Sequence, residues 1–491
     1  MNIVDLVLPA RDPGAPALIC DGQSLSYGEL EQVVNAACTV LREAGLPRRE
    51  PGRVPRIGLA CQNGSEYVVL ALAILRCGGC LVPIAGELTA PEREQIVTTV
   101  ALDAILLHER MPWPERSGQP GRATPLPGLG ATLFTDLPRV PIPWDETALA
   151  CLNPAFIRFS SGTTGRAKGV ILSHETILRR VTLANHALAV TGEDRVIWTL
   201  SMAHHFAVSI MLYLLQGAAT VILRQSLAGE ILSAGREYGG TVLYGAPFHH
   251  ALLAAEPSGR PWPSLRLAVS TAAPLAAPTA AAFEARYGVP LSQGLGLIEV
   301  GLPLLNTGDA RCKPTSVGKP GPGVAVQLRD PQTGLPVREG EAGELFLQCE
   351  GMLDAYLSPW QTREELLAPG GWFRTGDMVC RDAEGCLFLV GRCKTVINVG
   401  GMKCFPEEVE AVLLRHPGVQ LVRVLGRGHP RFGTVPVAEI VPRGAPPAVA
   451  ELVALCRESL AGYKIPVSFR FVESLPRTAS GKIQRTPAAL A

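Results

Sequence analysis

Between residues 26 and 84 the chain switches hydrophobic period three times, and this alternation restricts it to few architectures. Leu30, Val33, Val34, Ala37 and Leu41 recur at helical spacing. Arg56-Ile-Gly-Leu-Ala has the pattern of a buried strand, Glu66 to Arg76 returns to helix, and Leu81-Val-Pro-Ile returns to strand. Helices interleaved with strands predict an α/β fold, layered around a largely parallel sheet. The Pro- and Gly-rich segment 111–145 breaks the rhythm and reads as a surface excursion. Beyond residue 170 the alternation resumes with Thr220-Val-Ile-Leu, Leu267-Ala-Val-Ser and Val289-Pro-Leu. From about residue 315 to 392, short apolar runs separated by Gly-Pro, Thr-Gly, Gly-Glu and Glu-Gly turns predict an antiparallel, β-barrel-like subdomain. A helix is expected over Pro406–Leu414, with proline in its first turn and Glu407 and Glu408 beside its positive end. It opens a last stretch long enough for a small α+β domain.

At 491 residues the chain is too long for one core, and 47% hydrophobic residues allow several large ones. The charges nearly cancel, 45 basic against 44 acidic, which argues against a nucleic-acid or anionic-membrane surface. The first residues lack a charged n-region and a long apolar h-region, and no run of apolar residues is long enough for a membrane span. A cytoplasmic protein is expected. Thirteen cysteines are scattered along the chain. Cys77 and Cys80, in Cys-Gly-Gly-Cys, have no partner pair for a zinc site, so they read as reduced structural thiols.

Residues 158–170, Arg-Phe-Ser-Ser-Gly-Thr-Thr-Gly-Arg-Ala-Lys-Gly-Val, have the composition of a loop that grips polyphosphate. Glycines let backbone N–H groups turn toward an anion, hydroxyls add donors, and lysine supplies a mobile charge. A Walker A loop fails at two fixed positions, because Ala167 stands where its second glycine belongs and Gly169 where its metal-binding hydroxyl belongs. The stretch resembles instead the phosphate loop of adenylate-forming enzymes, whose pattern Ser-Ser-Gly-Thr-Thr-Gly-x-Pro-Lys-Gly-Val is changed here only at Ala167. That superfamily includes acyl- and aryl-CoA synthetases, luciferases and peptide-synthetase adenylation domains. The resemblance assigns Ser160, Ser161, Gly162, Thr163, Thr164, Gly165 and Lys168 to the phosphates of ATP.

Three more strings extend the resemblance. Trp372-Phe-Arg-Thr-Gly-Asp ends in Asp377, which reads as a carboxylate on a tight turn, suited to accept two hydrogen bonds from a ribose diol. Gly391-Arg-Cys-Lys follows, and by resemblance Asp377 and Arg392 hold the ribose while Lys394 is a hinge. Thr395 stands where family members often have an acid. The resemblance divides the chain into residues 1–392, binding ATP and acid, and residues 393–491, a mobile domain. Leu475-Pro-Arg-Thr-Ala-Ser-Gly-Lys-Ile-Gln-Arg matches the family's last motif without a substitution, making Lys482 the catalytic lysine. Gly400 and Gly401 would then face a pantetheine arm, with glycine allowing its close passage.

The family's aromatic-Gly-x-Thr-Glu string is altered. Here Gln293-Gly-Leu-Gly-Leu-Ile-Glu puts Leu295 at the aromatic place, Gly296 next, and Ile298 at the threonine place, which by the resemblance weakens adenine packing and removes one donor near the α-phosphate. Glu299 is kept, as the implied Mg²⁺ ligand. A Rossmann reading of Gly294-x-Gly296 fails for want of a third glycine. Ser201-Met-Ala-His-His-Phe resembles the family's Pro-x-x-His-x-aromatic string, placing His204 at a catalytic gate and His205 and Phe206 in the acyl pocket. His249 and His250 match no motif and read as structural. Thr271 stands where the family has glycine, and with Tyr244, Gly245, Gln293 and Gly294 it implies a pocket for a compact, flat acid. The departures are closest to those of aryl-acid-activating ligases. The implied reaction is ATP-dependent formation of an acyl-adenylate from a small, aryl or related carboxylic acid, with release of pyrophosphate. The acceptor would be the thiol of CoA or of a phosphopantetheinyl carrier, expected as a separate protein. Two alternatives stay open: a non-thiol nucleophile, or a diverged adenylate-binding protein suggested by Leu295 and Ile298.

Overall fold

The computed structural model describes residues 1–9, 12–111, 122–137, 140–159, 168–400, 402–477 and 483–484. Two compact units divide the chain. One comprises residues 1–160, 167–325 and 348–371, the other 161–166, 326–347 and 372–491.

The first unit holds two large sheets. In the nine-stranded sheet the inner strands Pro154–Phe159, Cys80–Pro83, Arg56–Ala60 and Ala104–His108 are neighbours and run parallel. The expected periods explain them: every residue of Arg56–Ala60 is buried, as a strand covered on both faces must be. The helix Tyr27–Glu43 buries Leu30, Val34, Ala37 and Leu41, with Ser26 and Glu29 forming a capping box at its start. The segment read as a surface excursion instead contains the strands Arg122–Leu126 and Ala131–Thr135, an antiparallel hairpin that extends this sheet. Pro125 is tolerated because Arg122–Leu126 is the edge strand.

The eight-stranded sheet has the order Gly301–Leu305, Leu291–Leu297, Leu267–Ser270, Val242–Gly245, Arg195–Trp198, Ala219–Ile222, Pro16–Cys20, Gln23–Ser26. All its neighbours are parallel except at the two edges. Ligands of such sheets collect at the carboxyl ends of the parallel strands. Here those ends carry Trp198, Gly245, Ser270 and Gln293.

In the second unit the strands Ala325–Arg329, Gly343–Gln348, Phe373–Arg381 and Leu387–Arg392 make one four-stranded sheet. Its strand order is an open path, so the turn-rich texture produces an open antiparallel sheet and no closed barrel among the described residues. A five-stranded sheet follows, built on the long hairpin Val419–His429 and Gly433–Pro442. The helix Pro406–Leu413 packs on it through Val409, Val412 and Leu413.

Among the described residues, no helix is long and apolar enough to cross a membrane. The cysteines are free thiols. Cys80 is buried and its thiol pKa is raised by desolvation. Cys77 differs: it caps the helix Ser65–Arg76, is half-buried, and lies 3.9 Å from the Cys38 carbonyl. Its interaction with the Cys38 thiol and the nearby Arg42 guanidinium lower its pKa, against the opposing effect of burial. The thiolate is the nucleophile, and a lowered pKa puts more of it present at neutral pH. Cys77 is therefore expected to react with iodoacetamide at pH 7 ahead of Cys80 and Cys404. Peptide mass mapping after brief alkylation checks this, and equal labelling would contradict it.

Candidate active site

The first unit carries Lys168, Glu299, the two histidines and the expected pocket residues. The strand Pro154–Phe159 leads into residues 160–167, so Ser160, Ser161, Gly162, Thr163, Thr164 and Gly165 lie outside the described residues. Lys168 follows them, immediately before the strand Gly169–Ser173. Its ammonium stands 4.4 Å from the centroid of the Tyr356 ring. Tyr356 belongs to the strand Ala355–Leu357, which runs antiparallel to Gly169–Ser173 with Tyr356 opposite Val170. The Tyr356 hydroxyl donates to Glu299 Oε1 at 3.0 Å.

Glu299 sits in the turn after the strand Leu291–Leu297, and its backbone is held from two sides. Its carbonyl accepts from the Leu353 N–H at 2.7 Å and from Arg180 Nη2 at 3.2 Å. Arg180 is 1% exposed, on the helix His174–Leu188. It also donates to the carbonyls of Ile298, at 2.9 Å, and Gly351, at 2.7 and 3.1 Å. Only glycine permits this last approach, because a Cβ on residue 351 would lie 2.6 Å from Arg180 Cβ. Desolvation lowers the Arg180 pKa to about 10, which leaves it a cation at neutral pH.

His204 and His205 lie on the short helix Met202–His205, just past the carboxyl end of Arg195–Trp198. His204 Nε2 is 2.6 Å from Glu87 Oε1, and Arg158 Nη1 donates to the His204 carbonyl at 2.5 Å. Burial alone would raise the Glu87 pKa, but the His204 hydrogen bond and the charges of His204 and Arg158 hold it below the usual value. His205 meets Trp198 edge-on, with centroids 5.5 Å apart, and Trp198 stacks on Tyr244 at 5.4 Å. Phe206 packs against Tyr67. Buried Thr271 follows the strand Leu267–Ser270, its hydroxyl 3.5 Å from the Gly294 carbonyl. Gln293 braces its surroundings, accepting from the Leu275 N–H at 2.7 Å and donating to the Thr315 carbonyl at 3.2 Å. Gly245 approaches the Thr199 hydroxyl, Leu295 is buried, and Gly296 is exposed. His249 and His250 bond backbone groups of Ala246 and Val269, and burial lowers the His250 pKa to about 4.

In the second unit, Asp377 does not end a turn but lies inside the strand Phe373–Arg381. The preceding Gly376 has φ +72°, and the pairing shifts register next to Met378. Asp377 faces Arg392 directly across the hairpin, with Arg392 Nε 2.7 Å from Asp377 Oδ1. Asp377 is buried while about half of the Arg392 side chain is exposed. Lys394 is exposed in the turn that follows, closed by the Thr395 N–H to the Arg392 carbonyl at 3.1 Å. Gly400 has φ +59°, and Gly401 and Lys482 lie outside the described residues. Among the described residues no group of three or more His, Cys, Asp or Glu side chains could hold a metal ion.

Sequence reasoning assigned no role to Glu87, Arg158, Arg180, Trp198 and Tyr356. Arg158 adjoins the phosphate loop and was within reach of inspection. The other four have no local pattern that marks them.

Comparison with known proteins defines the class. The chain belongs to the AMP-binding enzyme family, which it matches over residues 8–357, with the AMP-binding enzyme C-terminal domain over residues 408–482. It is 31% identical to a feruloyl-CoA synthase from an Amycolatopsis species, over 96% of this chain and 94% of that one. It is 30% identical to a sulfoacetate–CoA ligase from Cupriavidus necator, over 98% and 95%. Among solved structures, the amide bond synthetase McbA from Marinactinospora thermotolerans superposes with a TM-score of 0.81, at 25% identity and coverage of 98% and 97%.

Proposed function

We propose that the protein activates a small carboxylic acid with ATP, forming an acyl-adenylate and pyrophosphate, and passes the acyl group to the thiol of CoA, forming a thioester and releasing AMP. The observation that supports this most is the convergence of Lys168, Tyr356 and Glu299 at the strand ends of the first unit. Relatives matched over nearly their whole length carry acid–CoA ligase names.

Both reactants are anions, so repulsion and orientation set most of the barrier. Lys168, with Ser160, Ser161, Thr163 and Thr164, is proposed to hold the β- and γ-phosphates. Asp377 and Arg392 are proposed to bind the ribose, and Leu295, Gly296 and Ile298 to flank the nucleotide. Lys482 is proposed to place its ammonium against the carboxylate and α-phosphoryl oxygens, where charge develops. Glu299 offers a hard oxygen, and one carboxylate with substrate phosphates is a donor set that suits Mg²⁺. When bound there, Mg²⁺ would neutralise phosphate charge. His204, fixed by Glu87, is proposed to gate the acid's approach. Rotation about Lys394 would then bring Gly400 and Gly401 to the acceptor, CoA or a carrier's phosphopantetheine.

His205, Phe206, Tyr244, Gly245, Thr271, Gln293 and Gly294 are proposed to line the acid pocket. The stacked Trp198–Tyr244 pair and the buried Thr271 hydroxyl favour a flat acid over a long chain. Acid-dependent ATP–pyrophosphate exchange across benzoic, cinnamic, amino and fatty acids tests the reading. Exchange with a flat aromatic acid is expected to exceed that with any long-chain fatty acid by at least about tenfold. Preference for a fatty acid would overturn the pocket assignment. The likeness to an amide bond synthetase keeps one second reading, transfer to an amine, which supplying amines in place of CoA would reveal.

A further inference from the structure

We infer that Tyr356 is a positioning residue that holds the Lys168 ammonium and the Glu299 carboxylate in separate, usable places. The inference rests on the proposed roles of those two residues. A lysine and a glutamate of one pocket attract each other, and a direct ion pair would occupy both. Among the described residues no ion pair links Lys168 to Glu299. Instead the Tyr356 ring lies against the ammonium, 4.4 Å from ring centroid to Nζ, while its hydroxyl holds one carboxylate oxygen at 3.0 Å. A cation over an aromatic face is attracted without being neutralised. A carboxylate with one oxygen bonded to a phenol keeps acceptor capacity for a hard cation.

The surroundings fix this arrangement. Tyr356 is 5% exposed, and the pairing of its strand with Gly169–Ser173 sets the ring beside the residue that precedes that strand. Arg180 and the Leu353 N–H clamp the Glu299 backbone, so only its side chain needs aiming, and the phenol aims it. The phenol O–H is the donor in this contact and the Glu299 oxygen the acceptor. The two ends of Tyr356 act on different partners, the hydroxyl on the carboxylate and the ring on the ammonium.

The test separates those two ends in the full-length protein by ATP–pyrophosphate exchange with its best acid. Tyr356→Phe keeps the ring and removes the hydroxyl. The Mg²⁺ concentration for half-maximal exchange should rise about tenfold, with the KM values for ATP and acid little changed. Tyr356→Leu removes both, so the KM for ATP should also rise, about three- to tenfold. Thermal melting of both variants, alongside wild type, confirms that folded protein is compared. Glu299→Gln and Lys168→Ala serve as controls. If they exchange normally, the proposed roles of Glu299 and Lys168 fail, and the inference with them. If the controls are impaired while Tyr356→Phe keeps the wild-type Mg²⁺ dependence, the inference alone is overturned. Equal shifts of Mg²⁺ and ATP dependence in both variants would overturn it too, because ring and hydroxyl would not be acting separately.

Discussion

Lys482→Ala is expected to cut acid-dependent ATP–pyrophosphate exchange by at least about a hundredfold while ATP still binds. The reasoning is electrostatic. Carboxylate and α-phosphate approach as like charges, and a preorganised ammonium between their oxygens lowers the barrier more than it strengthens ground-state binding. Removing one such donor costs about 3–4 kcal/mol, roughly two to three powers of ten in rate. ATP should remain bound through the proposed contacts of Lys168, Asp377 and Arg392. Exchange rates, with ATP affinity measured by calorimetry, check both halves. Near-normal exchange would remove Lys482 from the mechanism, and lost ATP affinity would make it a binding residue.

Arg180→Met is expected to destabilise the first unit by about 3–5 kcal/mol, because it leaves buried carbonyls without donors. Arg180 makes four hydrogen bonds to the carbonyls of Ile298, Glu299 and Gly351. Methionine keeps the apolar stem but lacks the guanidinium and donates nothing, so the carbonyls lose their partners. The midpoint of the first urea transition should fall. Activity should drop further than stability accounts for, since the Glu299 turn loses a clamp. An unchanged urea midpoint would show that water or a shifted side chain replaces the guanidinium.

These two residues differ in how they could be found. Lys482 stands in a contiguous string, so reading along the chain suffices to mark it. Arg180 stands in an ordinary amphipathic helix, and its partners lie more than a hundred residues away. The same contrast runs through the fold. The strand Arg56–Ala60 and the helix Tyr27–Glu43 follow from period alone, because period records local exposure. The hairpin Arg122–Thr135 does not, because Pro125 and the glycines around it mimic a loop. Asp377 reads as a turn residue because Gly376 precedes it, yet the strand continues through that glycine and pairs Asp377 with Arg392.

By itself the sequence determined the α/β class and the order of the motifs, and it named the charged groups proposed here to hold a nucleotide. Each of these is written in neighbouring residues, where local period and backbone freedom act. Tertiary structure alone decided which groups meet. Tyr356 joins Lys168 to Glu299 because its strand lies against Gly169–Ser173. Glu87 reaches His204 across 117 residues of chain. Such pairings depend on strand register and helix packing, and these are fixed only when distant segments bury their apolar faces together.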